Sequence, residues 1–154
     1  MDMTAIVTPE RVFSELAVTA KKQLLEHLAA EAARATGLHE RTIFDALLER
    51  ERLGSTGVGH GVAIPHGRLA GLSRLHGFFA KLQEPIDFEA ADGRPVDLVF
   101  LLLAPEGSGG DHLKALGHVS RLLRDPQACA TLRAAVGRDR VYALLVEGMA
   151  SKAA

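Results

Sequence analysis

Three side chains of this 154-residue chain have types and settings that could do chemistry together: His66, His112 and Arg50. His66 ends the run Gly54-Ser-Thr-Gly-Val-Gly-His-Gly-Val-Ala-Ile-Pro-His-Gly-Arg68. Pro65 fixes its own φ and pushes Ile64 towards extended backbone, while Gly67 leaves room on the other side. An imidazole presented this way offers one ring nitrogen to a partner. In its neutral form it is a nucleophile with a pKa close to working pH. His112 follows Gly109-Gly110-Asp111 at the expected start of a helix, where unpaired N–H groups and the helix dipole favour an anion. If the fold brings the two together, a phosphoryl group on His66 meets donors from His112 and the backbone. Arg50 then adds a bidentate contact. The residues alone also allow a blander reading, a surface histidine at a strand end after a plain turn.

The glycines before His66 permit positive φ and close approach of the backbone to another group. N–H groups in such a turn can form an anion-binding nest, with the Ser55 and Thr56 hydroxyls as further phosphate donors. Two familiar phosphate motifs are absent. No lysine stands where a P-loop needs one, and the spacing of Gly57, Gly59 and Gly61 does not make a dinucleotide fingerprint. A zinc site built from His60, His66 and His112 is the sharpest rival. It fits poorly, because His60 and His66 lack helical i, i+4 spacing and Pro65 keeps the loop extended. The arrangement calls for no metal and no cofactor. His27 and His39 read as solvated, His76 and His118 as structural, and Cys129 as a small buried residue.

These side chains need a scaffold. Helical periodicity spans about Ser14 to Thr36, with Leu16, Ala20, Leu24 and Leu28 on one face and Gly37 as a stop. A second helix runs from about His39 to Arg52, carrying Ile43, Phe44, Leu47 and Leu48. Leu75 to Gln83 reads as a strand. Asp97 to Ala104 is almost continuously apolar, the mark of a strand covered on both faces. Helices follow from about Asp111 to Arg124, after Pro126, and from about Asp139 to Met149. Residues 1–13 read as a lead-in with a minor strand near Ile6, and about 1–8 and 150–154 as flexible. Strands with helices before, between and after them predict a single α/β domain over residues 1–154.

Composition bounds the rest. The chain is 47% hydrophobic and 24% charged, ordinary for a globular domain able to build a core. A net charge of −1 from 18 basic and 19 acidic residues gives no broad nucleic-acid footprint. The longest apolar run, Leu98 to Ala104, is too short to span a bilayer, so no membrane insertion is expected. The N-terminus has no signal-peptide pattern, and the single cysteine fits a reducing, cytoplasmic setting.

The stretch from Leu48 through His66 to Leu69 closely resembles the active-site region of IIA proteins of the phosphoenolpyruvate-dependent phosphotransferase system, in the mannitol/fructose/nitrogen-regulatory branch. The similarity continues through Pro95-Val-Asp-Leu-Val-Phe-Leu-Leu-Leu-Ala-Pro105, His112-Leu113 and the terminal helix. The resemblance implies a mixed β-sheet flanked by helices on both faces. It implies that His66 is the phosphorylated histidine, that His112 supports the phosphoryl group, and that Arg50 helps bind it. Where a mannitol-type domain has an acidic residue six before the acceptor, this chain has His60. The implied partners are a histidine-phosphorylated HPr-like carrier protein and regulated targets such as transporters or kinases. The Gly-Ser-Thr-Gly-x-Gly run, and a chain read as standing alone without a IIB domain, favour the nitrogen-regulatory type. Two alternatives are a sugar-specific IIA component passing phosphate to a IIB domain, and an interaction module that is no longer phosphorylated. An apolar docking rim of Val58, Ile64 and Leu69 is expected around His66.

Overall fold

The computed structural model describes residues 2–153. Among them are six strands and five α-helices: β1 (Val12–Leu16), α1 (Lys21–Thr36), α2 (Glu40–Arg52), β2 (Gly57–Gly59), β3 (Val62–Ala63), β4 (His66–Leu69), β5 (His76–Ile86), β6 (Val96–Pro105), α3 (Gly109–Leu123), α4 (Pro126–Ala134) and α5 (Arg138–Ala153). The sheet runs β1-β5-β6-β3-β2, and β4 also pairs with β6. It is mixed: β1 lies parallel to β5, β5 antiparallel to β6, and β3 and β4 both parallel to β6.

The apolar run of β6 explains the layering. From Leu98 to Ala104 successive side chains point to opposite faces. Leu98, Phe100, Leu102 and Ala104 enter one core with Val119 and Leu122 of α3, Cys129 and Leu132 of α4, and Val141 and Leu145 of α5. Val99, Leu101 and Leu103 enter the other, against Leu24, Leu25 and Leu28 of α1 and Ile43, Phe44 and Leu47 of α2. Both faces are therefore covered, as expected from the sequence, and the fold is an α/β sandwich with helices on each side.

Three local expectations change. The segment Val12–Leu16 is an edge strand rather than the first turns of a helix. Helix α1 begins only at Lys21, and its N-cap, Ala20, has no side chain to announce it. The N-terminal lead-in is packed rather than loose: Met3, Ile6 and Val7 are buried, and the Ile6 carbonyl accepts from Gly77 N–H. At the other end α5 continues through Ser151 to Ala153, where fraying was expected; Met1 and Ala154 lie outside the described residues. Gly37 ends α1 with φ 78°, as its type suggests.

The glycine-rich segment is three short strands rather than a loop. β2 and β3 form a hairpin whose turn residues Gly59, His60 and Gly61 all have positive φ (105°, 56° and 80°). β3 and β4 then run along one edge of β6 as a single line broken at Ile64-Pro65. Proline has no N–H to give to a ladder, so the break falls there.

Candidate phosphohistidine site

The break at Pro65 builds the site. With no ladder partner, the Ile64 carbonyl accepts from Nδ1 of His66 at 2.8 Å. A carbonyl can only accept, so Nδ1 carries the proton and Nε2 holds the lone pair. The next hydrogen bond locates that lone pair: Nε of Arg50 donates to His66 Nε2 at 3.3 Å. Arg50 sits in the last turn of α2 and is itself fixed by an Nη1 bond of 2.8 Å to the Gly54 carbonyl.

His66 and Arg68 are two apart on β4 and share a face, while Gly67 and Leu69 turn towards α2 and its core. The shared face meets His112, at the start of α3. The His66 and His112 rings stand edge to face, 5.5 Å between centroids. Arg68 Nε donates to His112 Nδ1 at 3.2 Å. That bond places the His112 proton on Nε2, which is buried without a hydrogen-bond partner. An orphaned buried N–H donor beside a nucleophilic nitrogen is a costly arrangement that an incoming anion relieves. Ser108, the N-cap of α3, gives its hydroxyl back to the Pro105 carbonyl at 2.7 Å rather than capping the helix.

The electrostatics agree. Burial holds the His66 pKa below the usual imidazole value; the bond to Ile64 opposes this, and Arg50 lowers it further. His112 is pushed down to about 4 by burial first, then by His66 and Arg68. Both rings are therefore neutral at pH 7. The depression they line is shallow, about 340 Å³, and is bordered by Ala46, Glu49, Leu53 and Gly67.

His66, His112 and Arg50 are thus brought together as the sequence suggested. Arg68 joins them. Its signal was present: a basic residue two positions after His66 on an extended strand must share its face.

Ser55 and Thr56 do not join them. The Thr56 hydroxyl donates to Glu51 Oε2 at 2.5 Å, and its N–H to Oε1 at 3.0 Å. Ser55 donates to the Phe88 carbonyl and accepts from Gly57 N–H. Both hydroxyls are engaged in bonds that brace the segment from inside. Glu51 is buried, pairs with Lys21 Nζ at 3.0 Å, and so anchors the turn that follows Arg50. The expected rim also changes. Ile64 and Leu69 are buried, whereas Leu53, which lines the depression, and Leu113, the residue after His112, are 80% and 68% exposed; Val58 is exposed but lines a different hollow. His60 faces that other hollow, away from His66 and His112.

The sequence and the fold have counterparts among known proteins. The chain matches the family described as "Phosphoenolpyruvate-dependent sugar phosphotransferase system, EIIA 2" over residues 5–148, and it belongs to that family. Within it the resemblance is to the nitrogen-regulatory type. The chain is 55% identical to a nitrogen regulatory protein of Bradyrhizobium diazoefficiens over 145 residues, 94% of this chain and 95% of that relative. It is 37% identical to the fructose-specific EIIA component of Haloferax volcanii, covering 96% of this chain and 98% of that one. The crystal structure of the nitrogen regulatory protein IIA-Ntr from Neisseria meningitidis superposes with a TM-score of 0.89 at 36% identity, covering 93% and 98% of the two chains. IIA mannitol from Escherichia coli, at 20% identity and a TM-score of 0.76 over 90% and 98%, shares the fold. No helix among the described residues is long and apolar enough to cross a membrane.

Proposed function

We propose that the protein accepts a phosphoryl group on Nε2 of His66 from a histidine-phosphorylated carrier of the HPr kind, and controls partner proteins through its phosphorylation state. The observation that carries this is the Ile64 carbonyl: by holding the Nδ1 proton it leaves the lone pair on Nε2, which accepts from Arg50 and lies near Arg68 and an unpartnered imidazole N–H.

Transfer between two histidines needs in-line geometry and charge neutralisation, and little other chemistry. The bond from phosphorus to the carrier's ring nitrogen breaks, and that nitrogen keeps the electron pair. The Nε2 lone pair of His66 forms the new bond, while the Nδ1 proton stays on the ring, held by the Ile64 carbonyl. Arg50 moves from Nε2 to the equatorial oxygens. Arg68 and the His112 Nε2–H meet the same oxygens as charge spreads over them. The step uses no metal and no cofactor. The flatness of the depression and the exposed Leu53 and Leu113 suit a docking protein rather than an enclosed small substrate.

Regulation follows from charge. A neutral ring becomes a dianion, so a partner surface complementary to one form rejects the other. The 55% identity to a protein named nitrogen regulatory supports this role over that of a sugar-specific component. Regulated targets such as transporters or kinases, met from the cytoplasmic side, are the partner types of this reading.

The test is intact mass at alkaline pH after incubation with phosphoenolpyruvate and a phosphorylated carrier system. Wild type gains one phosphate, His66→Ala gains none, and His112→Ala labels slowly. An unlabelled wild type beside a labelled control acceptor would leave only an interaction module.

A further inference from the structure

A hollow of about 490 Å³ lies apart from the one at His66, and the two share no lining residue. It opens between the β2–β3 hairpin and the junction of α3 with α4. Its size falls within the range of small-molecule sites.

The rim is basic. Arg94, Arg124 and Arg133 line it. Among the described residues, the side chains of Arg94 and Arg124 make no hydrogen bond or ion pair. Arg133 is held in place: Nε and Nη2 engage the Asp97 carboxylate at 2.9–3.1 Å, and Nη2 also reaches the His60 carbonyl at 3.0 Å. Its Nη1 donors remain unused. Asp97 thereby offsets Arg133, and the ionised Asp92, which the His60 N–H and then Arg94 help to hold in its charged form, offsets one more guanidinium, so the rim carries a net charge of about +1. Asp92, the other acid nearby, is occupied by the N–H groups of His60 and Arg94.

The interior is apolar, with Ile64, Leu123 and Cys129 buried at its floor and the Cys129 thiol turned to the Leu123 carbonyl. The hollow is also preformed. Its hairpin edge is pinned at His60 from both sides, N–H to Asp92 and C=O to Arg133, and His60 takes the left-handed conformation (φ 56°) that those two bonds impose.

We propose that this hollow binds a small amphipathic dianion: a phosphate monoester whose apolar body rests on Ile64 and Leu123 and whose charged head is clamped by Arg94, Arg124 and the free edge of Arg133. Each guanidinium is a planar fork that matches phosphate oxygens in pairs, and three of them line this rim. The apolar floor adds selection for a ligand with more than a phosphate head.

Phenyl phosphate is the probe. In an amide-resolved NMR titration of the full chain it produces saturable shifts at His60, Gly61 and Cys129, stronger than either inorganic phosphate or phenol alone. The exposed double variant Arg94→Ala/Arg124→Ala weakens the apparent Kd about tenfold or more, while the His66→Ala variant binds as wild type does. Loss of phosphoryl acceptance at His66 leaves this expectation unchanged. The proposal is overturned if no saturable shift appears at these amides, if inorganic phosphate or phenol binds as tightly as phenyl phosphate, or if the double variant keeps wild-type affinity with an unchanged spectrum elsewhere.

Discussion

Arg68 Nε donates to His112 Nδ1 across the gap between β4 and α3, and this one bond decides which nitrogen of His112 can face an anion. The two residues are 44 positions apart, so only the folded chain pairs them. Removing the guanidinium frees the imidazole to change tautomer. Arg68→Ala is therefore expected to slow phosphoryl acceptance by 10- to 100-fold, about 1.4–2.7 kcal/mol of transition-state stabilisation. Arg68→Lys, a point charge without the fixed fork, falls between. Single-turnover transfer from a phosphorylated carrier measures both; equal rates in all three proteins would remove Arg68 from the site.

Thr56 and Glu51 make the contrasting case. If Thr56 braces the turn, its loss costs fold stability before it costs transfer. Glu51→Ala removes the acceptor of both Thr56 bonds and the nearer of two carboxylates at Lys21, Glu89 remaining at 3.5 Å, and is expected to destabilise by about 2–3 kcal/mol. Thr56→Ala should cost about 1–2 kcal/mol. Urea unfolding gives both values. A Thr56→Ala protein of full stability but poor transfer would restore Thr56 to phosphate binding.

How much of this was legible follows from where each signal lay. The β6 run is apolar without interruption because both faces are buried, so it could be read directly. His66 was legible because proline is the one residue that breaks a ladder by chemistry alone. The bracing bonds of Ser55 and Thr56 were not legible because their acceptors are a buried carboxylate and a carbonyl at Phe88, contacts that only the folded chain supplies. Strand β1 was missed because Ala20 provides no capping side chain to separate it from α1. The rim was misplaced because Ile64 and Leu69 look like surface candidates next to a loop. The segment instead pairs along β6, and both side chains enter a core.

That last point gives a docking prediction. Leu53→Asp and Leu113→Asp should raise the KM for the phosphorylated carrier about tenfold or more, with kcat and stability nearly unchanged, because both side chains are exposed. Ile64→Asp should instead unfold the protein. Steady-state transfer kinetics separate the two; an unaltered KM in both leucine variants would place the carrier elsewhere.

The buried histidines set the response to acid. His76 and His112 have their pKa values pushed down to about 4, in each case by burial first, with Arg11 and Arg74 adding to it at His76. His66 and His118 are lowered as well. In the unfolded chain each titrates near 6.5. Between about pH 6.5 and 4 the unfolded state therefore binds more protons, so stability is full above 6.5 and is lost as pH falls. Two protons taken up only on unfolding give a slope of about 2.7 kcal/mol per pH unit. Urea midpoints at pH 7.5, 6 and 5 should decline accordingly, and less steeply in His76→Gln. A flat profile would show that these rings are protonated in the fold.

The central claim is that Nε2 of His66 receives the phosphoryl group. Its most direct test is ¹H–¹⁵N and ³¹P NMR of the phosphorylated protein labelled at histidine. The account predicts one phosphohistidine, at His66, with phosphorus coupled to Nε2 and the Nδ1 proton retained. Phosphorus on Nδ1 of His66, or on His112, would contradict it.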